Sequence, residues 1–107
     1  HKAFYTKGPA FLNILSPCPR GWRYPSEETI KLSKLAVQTN FWPLYEVENG
    51  KWKLNYKPKE RLPVTEWMKA QGRFKHLLVP EHEALVAEIQ QEIDDNWDKL
   101  LILCGEK

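Results

Sequence analysis

The chain has 107 residues, of which 42% are hydrophobic and 28% charged, a composition typical of one globular domain and not of a disordered segment. Sixteen Lys and Arg against fourteen Asp and Glu leave a formal net charge of +2, far below that of a dedicated nucleic-acid or membrane-surface binder. No apolar run reaches the roughly 18 to 20 residues that span a bilayer. Two cysteines are too few for a secreted disulfide scaffold. We expect one domain, residues 1–107, in a reducing cytoplasmic setting, with neither nucleic acid nor a membrane as partner.

The first predicted element is a strand at residues 10–15, AFLNIL, where only Asn13 is polar. A run that is apolar on both alternating faces predicts a strand covered on both sides, as in a parallel α/β sheet. Such a strand needs parallel neighbours, and the rest of the chain has no second run of this kind. Either the strand packs alone in an unusual way, or the chain is a piece of a larger α/β protein. The start at His1, without an initiating Met, favours the second possibility, a piece of a larger α/β protein.

A helix is predicted to begin at Pro25 and to end near Asn40. Ser26 can cap its N-terminus, and Glu27 and Glu28 place negative charge in the first turn, where the helix dipole favours it. Its apolar stripe consists of Ile30, Leu32, Leu35, Ala36 and Val37.

A β-hairpin is predicted around Asn49-Gly50, because a type I′ turn requires positive φ at both positions. A two-residue loop there pairs Glu48 with Lys51, Val47 with Trp52, Glu46 with Lys53, and Tyr45 with Leu54. One face of the hairpin is then apolar, and the other carries two Glu–Lys pairs.

Two more helices are predicted in the C-terminal half. The first covers residues 64–71, with Pro63 near its first turn and Gly72 at its C-terminal end. The second opens at Pro80 and runs to about Leu103. Its apolar face consists of Val86, Ile89, Ile93, Trp97, Leu100 and Cys104.

The hairpin region could imitate a nucleic-acid surface, with aromatic rings for base stacking and cations for phosphates. The residues concerned are Trp52, Tyr56, Lys51, Lys53, Lys57, Lys59 and Arg61. The predicted register instead turns Trp52 toward the apolar face and sets Lys51 and Lys53 opposite glutamates. Core packing with solvated charge is the preferred interpretation.

The histidines and the second cysteine give weaker signals. His1, His76 and His82 have no Cys, Asp or Glu at metal-ligand spacing, so only the fold could assemble a metal site from them. Cys104 falls on the apolar stripe of the last helix, where a buried cysteine or one in a tail is the default.

Cys18 is the candidate site residue. It follows the predicted strand by three positions, and ligand sites in open α/β sheets lie just beyond the carboxyl ends of strands. Pro17 and Pro19 would restrict the direction of its thiolate, and proline commonly adjoins cysteines that ligate clusters. A nucleophilic role would need a base, and the local sequence offers Arg20 and Arg23 but no histidine. On these grounds a packed hydrophobe and a metal or cluster ligand both stay open.

Three stretches carry a resemblance to a known family: GPAFLNILSPCPRGW at residues 8–22, LAVQTNFWPLYEVENGKWKLNYKP at 35–58 and PVTEWMKAQGRFKHL at 63–77. They resemble the C-terminal part of the beta subunits of pyruvate:ferredoxin oxidoreductases, which belong to the 2-oxoacid:ferredoxin oxidoreductase family. The similarity extends from about Gly8 to Leu78 and weakens in the last helix.

The resemblance implies an oxidoreductase of anaerobic metabolism that converts pyruvate and coenzyme A to acetyl-CoA and CO₂ and reduces ferredoxin. Its full-enzyme cofactors are thiamine diphosphate with Mg²⁺ and [4Fe-4S] clusters. Cys18 matches the fourth ligand of the cluster nearest to thiamine diphosphate. The other three cysteines, the Gly-Asp-Gly motif and the downstream Asn have no counterpart in this sequence. The chain alone is therefore expected to carry no cofactor and to be inactive.

The resemblance also implies an organisation for the chain. The chain would be α+β as a fragment, with one apolar strand, a hairpin and about three helices, and would form the C-terminal part of a larger α/β subunit that binds thiamine diphosphate. Residues 1–24 would supply the end strand and cluster-ligand loop of the thiamine-diphosphate domain, and residues 25–107 the helix, hairpin and C-terminal helices.

Partner expectations follow from the same resemblance. In the full enzyme the chain would meet the other oxidoreductase subunits and ferredoxin, with coenzyme A and the 2-oxoacid as small-molecule partners. The edges of an unpaired strand would allow self-pairing or a domain-swapped dimer of the fragment. The alternative hypothesis is a stand-alone module that binds protein or nucleic acid through the aromatic and basic hairpin.

Overall fold

A computed structural model describes residues 1–106, which form five α-helices and one two-stranded antiparallel sheet. The helices are α1 (Lys2–Tyr5), α2 (Pro19–Trp22), α3 (Thr29–Gln38), α4 (Val64–Lys69) and α5 (Glu83–Leu103). The strands are β1 (Tyr45–Glu48) and β2 (Lys51–Leu54), and short 3₁₀ helices cover Ser26–Glu28, Gly72–Leu77 and Pro80–His82. The predicted α+β class of the chain is confirmed.

Helix α3 ends where the sequence predicts but begins differently. It stops at Gln38, and Asn40 then adopts the left-handed conformation with a φ of 63°. The predicted Ser26 cap is wrong, since Ser26 lies inside a 3₁₀ turn that follows Pro25 and makes no side-chain capping bond there. That turn is closed instead by Thr29, whose Oγ1 donates a 2.7 Å hydrogen bond to the Ser26 carbonyl.

The hairpin has the predicted register, with Tyr45 opposite Leu54 and Val47 opposite Trp52. Asn49 and Gly50 have φ values of 52° and 77°, as a type I′ turn requires. The expected core packing of its apolar face is wrong. Tyr45 stacks on Trp52 with ring centroids 5.5 Å apart, yet Tyr45 and Val47 remain 45% and 47% exposed. Within residues 1–106, the helices form the core instead.

Trp67 of α4 lies at the centre of the core with 2% of its surface exposed. Phe41 stacks on it at 4.2 Å between ring centroids, while Trp22 and Phe74 each approach to 5.7 Å. The other buried members of this cluster are Tyr24, Leu32, Ala36, Val64, Met68 and Ile93. One face of α4 and one face of α3 therefore meet around a single tryptophan.

Helix α5 presents the predicted apolar stripe, with Ile93, Trp97 and Leu100 buried. Val86 and Ile89 are half-buried against the core cluster. No helix within residues 1–106 has the length and apolar character needed to cross a bilayer.

Gly72 does not terminate α4 as predicted. The helix ends at Lys69, and Gly72 begins the following 3₁₀ helix. Its N–H donates a 2.7 Å hydrogen bond to the Arg23 carbonyl, and a Cβ at this position would lie 2.7 Å from Arg23 Cβ. Gly72 is therefore required for a close approach between two segments and not for a helix end.

The strand predicted at residues 10–15 is wrong for this chain, because the segment has no regular structure. Phe11, Leu12 and Ile14 are 87%, 71% and 78% exposed, and only Leu15 packs against the core cluster. A strand forms when a neighbour completes its backbone hydrogen bonds, and β1 and β2 pair only with each other in the described structure.

Candidate functional site

Cys18 lies at the surface, at the N-terminus of α2. Its Sγ accepts a hydrogen bond from the Gly21 N–H at 3.3 Å, and its carbonyl accepts one from the Trp22 N–H at 2.8 Å. Pro19 occupies the first helical position, where its missing N–H costs no hydrogen bond. The thiol is thus held by a short turn and stays open to a ligand from outside the chain.

Trp22 connects this turn to the core. Its ring meets Trp67 edge-on at 5.7 Å and Tyr24 at 6.2 Å. The turn then closes with Arg23, which has a φ of 58° and follows α2 directly. We refer to residues 17–24 as the Cys18 loop.

Sequence reasoning missed Arg73, which packs on the Cys18 loop. Its guanidinium carbon lies 4.2 Å from the centre of the Trp22 ring, 4.6 Å from that of Phe74 and 5.6 Å from that of Trp67. Burial disfavours the charged form and lowers the pKa of Arg73 from its ordinary value. A basic residue between Gly72 and Phe74 gives no local signal of its contact with Trp22, which is distant in the sequence.

The remaining candidate ligands do not join Cys18. Cys104 is half-buried at the end of α5, where burial, followed by the charge of Glu106, raises the pKa of its thiol. Within residues 1–106, no three His, Cys, Asp or Glu side chains are grouped so that they could hold a metal ion. The described residues thus place one exposed thiol, that of Cys18, at this loop, whereas a [4Fe-4S] cluster takes four thiolates.

The aromatic and basic residues of the hairpin do not form one continuous basic surface. Lys51 and Lys53 lie opposite Glu48 and Glu46, as predicted. Glu46 also receives a hydrogen bond from the Lys2 ammonium at 2.6 Å. Charges of both signs alternate on this face, which does not favour a nucleic-acid surface.

Comparisons with known proteins identify relatives of this chain among curated proteins. No protein-family profile matches the chain. It is 48% identical over 103 residues to pyruvate synthase subunit PorB of Thermotoga maritima, covering 95% of the chain and 32% of that subunit. It is 46% identical over 94 residues to pyruvate synthase subunit PorB of Methanocaldococcus jannaschii, covering 88% of the chain and 30% of that subunit.

A third relative carries a different name. The ketoisovalerate oxidoreductase subunit VorB of Pyrococcus horikoshii is 43% identical over 101 residues, which cover 92% of the chain and 31% of that subunit. The chain thus spans about a third of the length of the curated relatives it matches. The chain is related, over nearly its whole length, to the C-terminal part of subunits named PorB and VorB, the beta subunits of 2-oxoacid:ferredoxin oxidoreductases.

Proposed function

We propose that this chain is the C-terminal segment of the beta subunit of a 2-oxoacid:ferredoxin oxidoreductase that acts on pyruvate. The observation that carries the proposal is the 48% identity over 95% of the chain to a pyruvate synthase subunit. Subunits named for ketoisovalerate match at 42–43% and other PorB subunits at 35–41%, so the choice of pyruvate rests on the two PorB matches at 46% and 48%.

In the whole enzyme, pyruvate and coenzyme A would give acetyl-CoA and CO₂, and two electrons would pass to ferredoxin. When bound, thiamine diphosphate with Mg²⁺ would supply the site of decarboxylation, and [4Fe-4S] clusters would supply one-electron carriers. The residues that hold thiamine diphosphate would lie in the part of the subunit that precedes this segment.

Within this chain, Cys18 would supply one thiolate to an iron of the nearest cluster. Its exposure and its place beside two prolines support this role. The Gly21 N–H, which donates to Cys18 Sγ at 3.3 Å, would remain near the sulfur after ligation. Hydrogen bonds to ligating sulfurs are one means by which proteins set cluster potentials.

The exposed segment at residues 10–15 supports the proposed division of the chain. Phe11 and Ile14 are largely exposed here and would be covered once residues 1–24 join the sheet of the thiamine-diphosphate domain. Residues 25–107 would form the helical and hairpin part of the subunit. The other oxidoreductase subunits and ferredoxin would be its partners, in a cytoplasmic enzyme.

The test is an assay of the complete beta subunit, co-expressed anaerobically with its partner subunits. We expect pyruvate- and coenzyme A-dependent reduction of ferredoxin, with 2-ketoisovalerate as a poorer substrate at equal concentration. A preference for 2-ketoisovalerate would overturn the pyruvate assignment. The 107-residue chain, reconstituted anaerobically with iron and sulfide, should show no iron–sulfur absorbance and no turnover.

The gene upstream of His1 offers a second test. A CxxC motif, a further Cys and a Gly-Asp-Gly motif in the upstream translation would support the oxidoreductase. Their absence would favour the alternative, a separate interaction module.

A further inference from the structure

We propose that Arg73 is a positioning residue for the Cys18 loop, and that its guanidinium, stacked on Trp22, fixes the direction of the Cys18 thiol. The inference rests on the proposed role of Cys18 as a cluster ligand. The contacts of Arg73 are with Trp22, Trp67, Phe74 and Gln71, so it acts on Cys18 through Trp22.

The first step is the coupling between Cys18 and Trp22. They are one helical turn apart, and the Trp22 N–H donates to the Cys18 carbonyl at 2.8 Å. The Tyr24 N–H donates to the Pro19 carbonyl at 3.1 Å. These two overlapping backbone hydrogen bonds tie the loop together from Cys18 to Tyr24, so an interaction that orients Trp22 also orients Cys18.

The second step is the contact between Arg73 and Trp22. The guanidinium carbon lies 4.2 Å from the Trp22 ring centre and 4.6 Å from that of Phe74, so two aromatic rings contact the same cation. Among residues 1–106, no carboxylate lies within salt-bridge distance of Arg73. The half-buried charge is therefore compensated chiefly by these rings, which makes the stacking energetically important.

The third step is the anchoring of Arg73 itself. Its Nε donates to Gln71 Oε1 at 2.7 Å, and the Gln71 amide nitrogen donates to the Trp67 carbonyl at 2.9 Å. Gln71 is 1% exposed, so this connection lies inside the core. Gly72, which lies between Gln71 and Arg73 in the sequence, donates its N–H to the Arg23 carbonyl. Three consecutive residues thus bind the loop to the core around Trp67.

A guanidinium suits this task better than an ammonium. It is planar, it can stack on Trp22, and its Nε–H has a fixed direction toward Gln71. Lysine would keep the charge but lose both the flat contact and the directed hydrogen bond. The substitution Arg73→Lys therefore keeps the positive charge while removing the stacking contact and the directed hydrogen bond, so it tests the two contributions separately.

The experiment is hydrogen exchange, followed by mass spectrometry, on the complete beta subunit in its assembled complex, prepared without the cluster. In Arg73→Met, amides of residues 18–24 should exchange about 3- to 30-fold faster, the range expected for loss of a partly desolvated cation–π contact. Amides of α5 should be unchanged. Arg61→Met is the matched control, because Arg61 contacts Asp94 and Asp98 of α5 and not the Cys18 loop. It should leave residues 18–24 unaffected.

Unchanged exchange at residues 18–24 in Arg73→Met would overturn the proposal. Equally faster exchange in the loop and in α5 would also overturn it, since the effect would then be a general loss of stability.

A spectroscopic measurement separates positioning from a merely structural role. In the cluster-loaded complex, Arg73→Met should alter the electron paramagnetic resonance spectrum of the reduced cluster, and Arg73→Lys should give a smaller change. An unaltered spectrum together with faster exchange would refute the effect on the ligand. If the wild-type complex assembles no cluster at Cys18, the proposed function fails, while the exchange result still decides whether Arg73 holds the loop.

Discussion

The Gly72 N–H donates a 2.7 Å hydrogen bond to the Arg23 carbonyl, and a methyl group at Gly72 would lie 2.7 Å from Arg23 Cβ. Arg23 itself adopts a left-handed conformation, with a φ of 58°. The end of the Cys18 loop and the start of the 3₁₀ helix Gly72–Leu77 therefore touch through backbone atoms. No larger residue at position 72 can preserve this distance.

The first prediction concerns this contact. Gly72→Ala should destabilise the chain by about 1–3 kcal/mol, the usual cost of an added methyl group in a packed site. Urea unfolding followed by tryptophan fluorescence measures the change. Gly21→Ala is the control, since its Cβ would meet Cys18 Sγ at an ordinary 3.4 Å and should leave stability nearly unchanged. Equal stability of the two variants would contradict the assigned role of Gly72.

The second prediction tests the ligand role of Cys18. In the complete enzyme, Cys18→Ser should deplete the cluster and slow electron transfer, while thiamine diphosphate still binds. Loss of a ligand should exceed the roughly 10- to 100-fold loss of metal affinity seen when only an outer hydrogen-bonding partner is removed. Iron and sulfide analysis, with electron paramagnetic resonance, gives the cluster content. Cys104→Ser is the control and should retain the cluster; normal content in Cys18→Ser would refute the assignment.

The third prediction concerns pH and the contact between Lys2 and Glu46, whose charged atoms are 2.6 Å apart. The hydrogen bond from Lys2 lowers the pKa of the Glu46 carboxyl below its ordinary 4.5, against a smaller opposing effect of burial. Because the pKa is lowered in the folded chain, the contact contributes above pH 4.5 and is lost as the pH falls through the lowered pKa. The pKa of Lys2 is raised from 10.5, so the contact is also lost as the pH rises through that raised value.

A carbon-13 NMR titration of the Glu46 carboxyl measures this effect. Lys2→Met should raise the Glu46 pKa toward its ordinary value, while Lys7→Met should leave it in place, because Lys7 is not among the groups that perturb it. An identical Glu46 pKa in the wild type and in Lys2→Met would show that the ion pair does not form in solution.

The fourth prediction concerns self-association of the isolated chain. Phe11 and Ile14 are 87% and 78% exposed in a segment without a partner strand, and such surfaces promote pairing between copies. Sedimentation velocity should show association that increases with concentration and is weakened by Phe11→Ser with Ile14→Ser. Ile102→Ser, at an exposed position of α5, is the control. A wild-type chain that stays monomeric at all concentrations would count against this prediction.

The sequence predicted best the elements whose determinants are local. Asn49 and Gly50 fix the turn and, with it, the register of the hairpin, because the turn type needs two residues with positive φ. The apolar spacing of α5 likewise predicted the burial of Ile93, Trp97 and Leu100. In both cases the information lies within one element.

The features that sequence reasoning missed depend on contacts between distant segments. A glycine after a helix is usually a helix end, and only the approach of Arg23 shows why Gly72 is there. From the sequence, Arg73 would be interpreted as a surface cation; the structure shows that it stacks on Trp22. The strand predicted at residues 10–15 is absent, because a strand needs neighbours to complete its hydrogen bonds and the described residues supply none to this segment.

The exposure of Phe11, Leu12 and Ile14 should affect how long the protein persists in the cell. Chaperones and proteases act on exposed apolar segments, and the fraction of a protein that presents them is continuously removed or refolded. If the rest of the subunit buries this segment, as proposed, its exposure distinguishes an incompletely folded subunit from a folded one. The cellular level of the subunit would then depend on how completely this segment packs against the rest of the subunit.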